Sequence, residues 1–270
     1  GVKPKTESLE FEDKLTPVTG VAALPVLTNI PNTDQDTDAD TRVKDQTRAT
    51  DEIDSLVTAP DNKETNNQTE STAVPNDVAP SYWAYPFVKQ MSDQALVPEF
   101  ADNHNFEPDK LITRASMATL ISQAFDMQPE TKEIKKFTDV TNSEMIADIN
   151  KAVSIGFMHG YSHDEFRPEE HIPRYQVLVT LATGLGLELP QNAEPILQKF
   201  GDGSDMPDWA KKQVAAATEA GLIVSPPDFA QNSLMPNEPA TRGEVAAMIL
   251  QALVKTGKLE PLDSEYIFKP

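Results

Sequence analysis

Apolar residues recur at fixed offsets after three arginines. Three, seven, ten and eleven positions beyond Arg114 stand Met117, Ile121, Ala124 and Phe125. The same offsets from Arg174 give Val177, Leu181, Gly184 and Leu185, and from Arg242 they give Val245, Ile249, Ala252 and Leu253. Positions so spaced share one side of an α-helix, so each segment predicts an amphipathic helix with a single apolar stripe. A stripe present three times is best buried against its own counterparts, which predicts a central bundle of three equivalent helices. An earlier helix is predicted in each segment, at about 82–95, 144–155 and 207–220.

The helix starts are legible as well. Thr241 and Glu244 have the spacing of a capping box, in which the threonine oxygen accepts the N3 amide and the glutamate reaches back to the cap. Thr113 can cap without that glutamate, because Ser116 takes its place. Pro173 has no side-chain acceptor, so the second helix start is expected to be the weakest.

The two helices of each segment are joined by a loop that ends in Phe106-Glu107-Pro108, Phe166-Arg167-Pro168 or Leu234-Met235-Pro236, and each proline stands six residues before the arginine. An aspartate opens each segment, and its distance to the arginine ranges from 35 (Asp139 to Arg174) to 40 (Asp202 to Arg242). Agreement at both ends, three times in succession, is internal triplication. The expected fold is all-α: three helix-loop-helix repeats, about 77–129, 137–190 and 200–256, around a pseudo-threefold three-helix-bundle core. Residues 257–270 read as a C-terminal tail.

Composition changes near residue 76. The preceding stretch holds runs such as 32–40 and 61–68, which are polar, acidic and poor in aromatics, so residues 1–76 are expected to be a disordered acidic stalk. Two less polar patches, 9–15 and 18–30, fit stray hydrophobics in a linker better than docking segments. The alternating aspartates Asp34 to Asp40 lack the glycine and glutamate of a calcium loop, with Ala39 and Asp45 at those places. The formal net charge of the 270 residues is −20, which opposes binding to nucleic acid or to anionic lipid. No cysteine is present, so disulfides and thiolate metal sites are excluded. No apolar run has the roughly 20 residues needed to cross a bilayer. The first residue is Gly1, and a start, signal peptide or tag is expected to have preceded it.

No catalytic constellation emerges. His104, His159, His163 and His171 fall in loops without ligand spacing, and no nucleophile elbow, phosphate-binding glycine loop or His-Glu-x-x-His pattern occurs. The chain is expected to be no enzyme and to need no metal or cofactor.

These residues resemble the S-layer homology domain, whose repeat reads approximately Phe-x-Asp-Val, a Trp-Ala helix start, Gly-Ile-Ile-x-Gly, Phe-x-Pro, then Thr-Arg-Ala-Glu opening a helix. The resemblance covers about residues 77–256, and the linker's texture resembles cyanobacterial sequences. It implies a three-pronged pseudo-trimer whose inter-repeat grooves hold a peptidoglycan-linked, often pyruvylated, cell-wall polysaccharide. That would make the chain a non-covalent anchor in the extracytoplasmic envelope. By position, the implied polysaccharide-binding residues are Arg114, Arg174, Arg242, Trp83, Trp209, Asp77, Asp139, Asp202 and Gly160. The chemistry is reasonable on its own terms, since a guanidinium beside helix N-terminal amides can grip a carboxylate and an indole offers a flat face to a sugar.

Each assignment has a plainer alternative. The arginines could pin repeats together, the tryptophans could pack in the core, and the aspartates could brace the repeat starts. The motif also departs from the family: Thr-Arg-Ala-Ser, Pro-Arg-Tyr-Gln and Thr-Arg-Gly-Glu replace Thr-Arg-Ala-Glu, and Met145 replaces the second tryptophan. A different class of function is a protein–protein adaptor, with the trimer as scaffold and the N-terminal segment wrapping a partner.

Overall fold

The computed structural model describes residues 73–98, 105–129, 135–230 and 232–270. The expectation of a disordered stalk, the patches at 9–15 and 18–30, the aspartate series and His104 lie outside the described residues. Within them are seven α-helices: α1 (Tyr85–Ser92), α2 (Arg114–Ala124), α3 (Ser143–Ser154), α4 (Arg174–Gly184), α5 (Glu194–Leu197), α6 (Lys211–Glu219) and α7 (Arg242–Lys255). Pairing between extended segments is confined to isolated bridges among the described residues. The all-α expectation holds.

The arginine-led helices begin where their caps dictate. Thr113 accepts the Ser116 amide at 3.2 Å, a contact of the kind that contributes about 1 kcal/mol. Thr241 and Glu244 form the expected capping box, with the Thr241 amide donating to Glu244 Oε2 at 2.7 Å. Pro173 supplies no cap, as expected. Its helix is rescued from outside. The amides of Arg174 and Tyr175 donate to the carbonyls of Glu238 and Pro236 at 3.0 and 2.9 Å, in the loop of the following repeat.

That rescue is a general device. Arg114 and Ala115 donate to Glu170 and Pro168 of repeat 2, and Arg242 and Gly243 donate to Lys110 and Pro108 of repeat 1. The first two amides of every arginine-led helix, which have no partner within the helix, are therefore taken up by the next repeat. Inside this ring runs a smaller one: Ile112 donates to Ala240, Ala240 to Ile172 and Ile172 to Ile112, at 2.9, 2.9 and 3.3 Å. Three backbone segments, one per repeat, thus close a cycle about the pseudo-threefold axis.

Helix packing follows the same handover. α3 lies on α2, α6 on α4, and α1 on α7, so each prong joins the second helix of one repeat to the first helix of the next. At the centre, α2 and α4 both pack against α7, whose residues from Arg242 to Leu253 are buried without a break. All the stripe residues except Leu185 are buried. Gly184 is explained by close approach rather than by flexibility, because an added Cβ would stand 2.1 Å from the Phe157 ring, itself 4.5 Å from Phe125.

The tail at 257–270 packs on the domain. Gly257, with φ +72°, ends α7 by turning the chain so that Lys258 donates to the Leu253 carbonyl. Leu259, Leu262, Tyr266, Ile267 and Phe268 then pack against the core.

Candidate functional site

Each opening aspartate ties its own loop. Asp77 accepts the Phe106 and Glu107 amides at 2.8 and 2.6 Å, Asp139 those of Phe166 and Arg167 at 2.8 and 2.6 Å, and Asp202 those of Leu234 and Met235 at 2.8 Å each, with Ser233 donating as well. The second amide in every case belongs to a left-handed residue, with φ of +52° at Glu107, +56° at Arg167 and +46° at Met235. That conformation costs a non-glycine residue about 1–2 kcal/mol, and the two carboxylate bonds hold it directly before the proline. Burial pushes the Asp139 and Asp202 carboxyls up, but the donated amides outweigh it and both lie below the usual carboxylate range.

The three arginines are buried, at 8% exposure for Arg114, 0% for Arg174 and 6% for Arg242. Each reaches into the following repeat. At the first junction, between repeats 1 and 2, Arg114 donates to the Phe166 and His159 carbonyls at 2.7 Å each and lies 4.6 Å from both the Tyr161 and Phe166 rings. At the second, Arg174 donates to the Leu234 and Val224 carbonyls at 2.8 Å each and to Glu244 Oε1 at 3.0 Å, beneath the Phe229 ring. At the third, which returns to repeat 1, Arg242 donates to the Phe106 carbonyl at 3.2 Å and to Glu107 at 2.7 Å. Burial lowers the guanidinium values of Arg114 and Arg174 from their ordinary level, with Glu244 opposing it at Arg174. The amides expected to join these guanidiniums in gripping a carboxylate are not open, because the neighbouring repeat's carbonyls occupy them.

The tryptophans differ. Trp209 is 44% exposed and edge-on to Tyr175, with ring centroids 5.9 Å apart. Trp83 is half-buried among Tyr82, Phe87 and Tyr266. Gly160 packs its backbone under Phe137, since an added Cβ would lie 2.3 Å from that ring and 2.8 Å from the Glu165 carbonyl. His159, His163 and His171 are exposed, and among the described residues no group of His, Asp or Glu is arranged to hold a metal ion. A cavity of about 300 Å³ in repeat 2, lined by Lys135, Lys136, Phe137, Val140, Ile146 and others, contains none of the junction arginines or tryptophans.

Several junction residues were not singled out by the sequence. Tyr175 stands where the motif has alanine, whereas Tyr161 and Phe229 each stand 13 residues before the arginine of their repeat, a shared spacing that was an available signal. Arginine burial had an available signal: offset zero lies on the same helix side as offsets three, seven and eleven, so each arginine belongs to its own apolar stripe.

The S-layer homology domain family matches residues 76–118, 136–177 and 199–246. The chain is similar to the surface-layer 125 kDa protein of Lysinibacillus sphaericus, at 29% identity over 68% of this chain and 16% of that protein. It is similar to an amylopullulanase of Thermoanaerobacterium thermosulfurigenes, at 27% identity over 68% of this chain and 10% of that protein. It is also similar to a cellulosome-anchoring protein of Acetivibrio thermocellus, at 27% identity over 52% of this chain and 31% of that protein. The chain thus spans less than a third of the length of each. No helix among the described residues is long and apolar enough to cross a membrane, and the matched family together with its surface-layer relatives points to the cell envelope. The three matched segments coincide with the three interlocked repeats, and residues 76–118, 136–177 and 199–246 belong to the S-layer homology family as three domains in tandem.

Proposed function

We propose that the triple domain is a non-catalytic module that anchors its protein to peptidoglycan-linked cell-wall polysaccharide. The observation that carries this reading is the coincidence of three family matches with one closed, interlocked ring. The similar stretch is shared by a surface-layer protein, an amylopullulanase and a cellulosome-anchoring protein. Those names have no reaction in common, so the shared stretch supplies attachment, not hydrolysis.

Within this reading the arginines and aspartates build the binding surface without forming it. Their donors and acceptors are engaged inside the protein, and Gly160 serves the packing of Phe137. Ligand contact falls to exposed junction side chains, Trp209 foremost. A carboxylate on the polysaccharide, such as a pyruvyl group, would be met outside the three guanidiniums.

The test is co-sedimentation of the full chain with cell-wall sacculi, beside sacculi stripped of their covalently linked polysaccharide. Retention that depends on the polysaccharide is the expected result. Equal retention by both preparations would move the ligand to peptidoglycan itself, and retention by neither would overturn the anchoring reading in favour of a protein partner.

A further inference from the structure

Two of the three prongs are tethered by the chain itself, and the third is not. α2 and α3 are joined by residues 125–142, and α4 and α6 by residues 185–210, so each pair is held at short range. α1 and α7 pack together with most of the domain between them in sequence. A short tether keeps two helices at high effective concentration, and a long one does not. The third prong therefore needs another means of closure.

Residues 257–270 have the form of such a tether. Gly186 and Gly257, with φ +59° and +72°, turn the chain after α4 and α7, and the amides of Leu187 and Lys258 donate back to the Ala182 and Leu253 carbonyls at 3.0 and 2.9 Å. A proline follows each glycine by four residues, Pro190 and Pro261. Beyond Pro190 the second linker lays α5 against α6, in the next repeat. Beyond Gly257 the chain goes to repeat 1 in the same way. The Glu260 carbonyl accepts Gln90 Nε2 of α1 at 2.8 Å, Lys258 Nζ donates to the Ala124 carbonyl at the end of α2 at 3.4 Å, and the Tyr266 ring lies 5.6 Å from that of Trp83.

Its later residues are fixed to repeat 3 as well. The Tyr266 carbonyl accepts the Ser225 amide at 2.9 Å, the Phe268 amide donates to the Ile223 carbonyl at 3.0 Å, and the Phe268 ring is 4.6 Å from Phe200. Val224, between the two bonded residues, is the one whose carbonyl accepts Arg174. The segment thus grips both repeat 1 and the backbone that receives the second-junction arginine.

We infer that residues 258–268 are a strap, a linker joined to α7 by the chain and to repeat 1 by contacts alone, which locks the third prong shut. Docked, it holds α1 on α7 and steadies residues 223–225 against Arg174. Undocked, it frees α1, while the first prong stays closed through its own linker. The strap lies outside the matched family segments, the last of which ends at residue 246. This device is separate from polysaccharide binding, so it is tested with no glycan present and stands or falls apart from the anchoring reading.

The test is hydrogen–deuterium exchange on the full-length chain, comparing wild type with Tyr266→Ala/Phe268→Ala and with the milder Tyr266→Ala. In the double variant the amides from Phe87 to Ser92 of α1, together with that of Ser225, should exchange about tenfold faster, whereas those of α2 and α3 should stay within about twofold of wild type. The single variant should show the same pattern with a smaller rise. An equal rise in every helix would make the segment a general stabiliser and overturn the strap, and so would unchanged exchange in α1. If the double variant does not keep native helix content, the single variant decides by the same two criteria.

Discussion

At the second junction a guanidinium with no exposed surface meets a carboxylate, and at the first the equivalent guanidinium makes do with two carbonyls and two aromatic faces. Glu244 explains the difference. It is the N3 residue of α7, and while Oε2 closes that helix's capping box, Oε1 reaches Arg174 of the preceding repeat. By the same cyclic logic Arg114 should meet position 176 and Arg242 position 116, but these are Gln176 and Ser116. At the third junction Glu107 supplies the missing charge from the loop. At the first, the corresponding loop residue is Arg167, which bonds Glu165 at 3.2 Å and stacks on Tyr161 at 4.1 Å. One motif position therefore sets how the arginine of the previous repeat is neutralised.

The strongest way to break this comparison is Arg174→Met, which leaves Glu244 buried and unpaired. It should cost about 3–5 kcal/mol in urea unfolding, whereas the double replacement Arg174→Met/Glu244→Met should recover much of that loss. A double variant no better than the single would show that the pair matters as hydrogen-bonding geometry rather than as charge. Arg114→Met strands two carbonyls but no carboxylate, and should cost a smaller amount, about 1–3 kcal/mol. Gln176→Glu would restore the motif charge beside Arg114 and is expected to raise stability by about 1 kcal/mol; a fall in melting temperature would refute the cyclic assignment.

The smallest effect concerns acid. The Asp139 and Asp202 carboxyls lie below their usual range, so their contribution is present above the unfolded value of about 3.9 and is lost as pH falls through the folded values. Asp139→Asn and Asp202→Asn should be less stable at neutral pH and show a shallower loss of urea midpoint below pH 4. A slope equal to that of the wild type would mean that neither carboxylate couples to folding.

The triplication was legible because three requirements of each repeat are local: a proline, an arginine and an apolar stripe at fixed spacing. The caps at Thr113 and Thr241, and the missing cap at Pro173, could be read for the same reason. What could not be read were relations between repeats. Nothing in 82–95 says that α1 packs on α7 rather than on α2, and nothing in 257–270 has a periodicity that marks Tyr266 for Trp83. α5 is four residues long and leaves no pattern. The arginines stood out by their repeated spacing, yet a charge at a helix start reads as solvent-facing until its neighbour's carbonyls are known. The arrangement of the candidate site therefore depended on contacts 45–136 residues apart in sequence.

The cycle joining Ile112, Ile172 and Ala240 also bears on how the molecule is made. In an open array of repeats, a partial chain can already possess its final neighbours and stability grows unit by unit. Here α1 emerges first and its packing partner α7 emerges last, and the Arg242 to Phe106 bond spans 136 residues. Repeat 1 must therefore wait for the end of repeat 3 before α1 can meet α7, which raises the contact order and slows folding. A chain cut short before residue 242 would lose the closure and one of its three prongs rather than merely a third of its length. Closure of the ring is accordingly a property of all three repeats together, and an interrupted product of translation that stopped before α7 would carry no version of it.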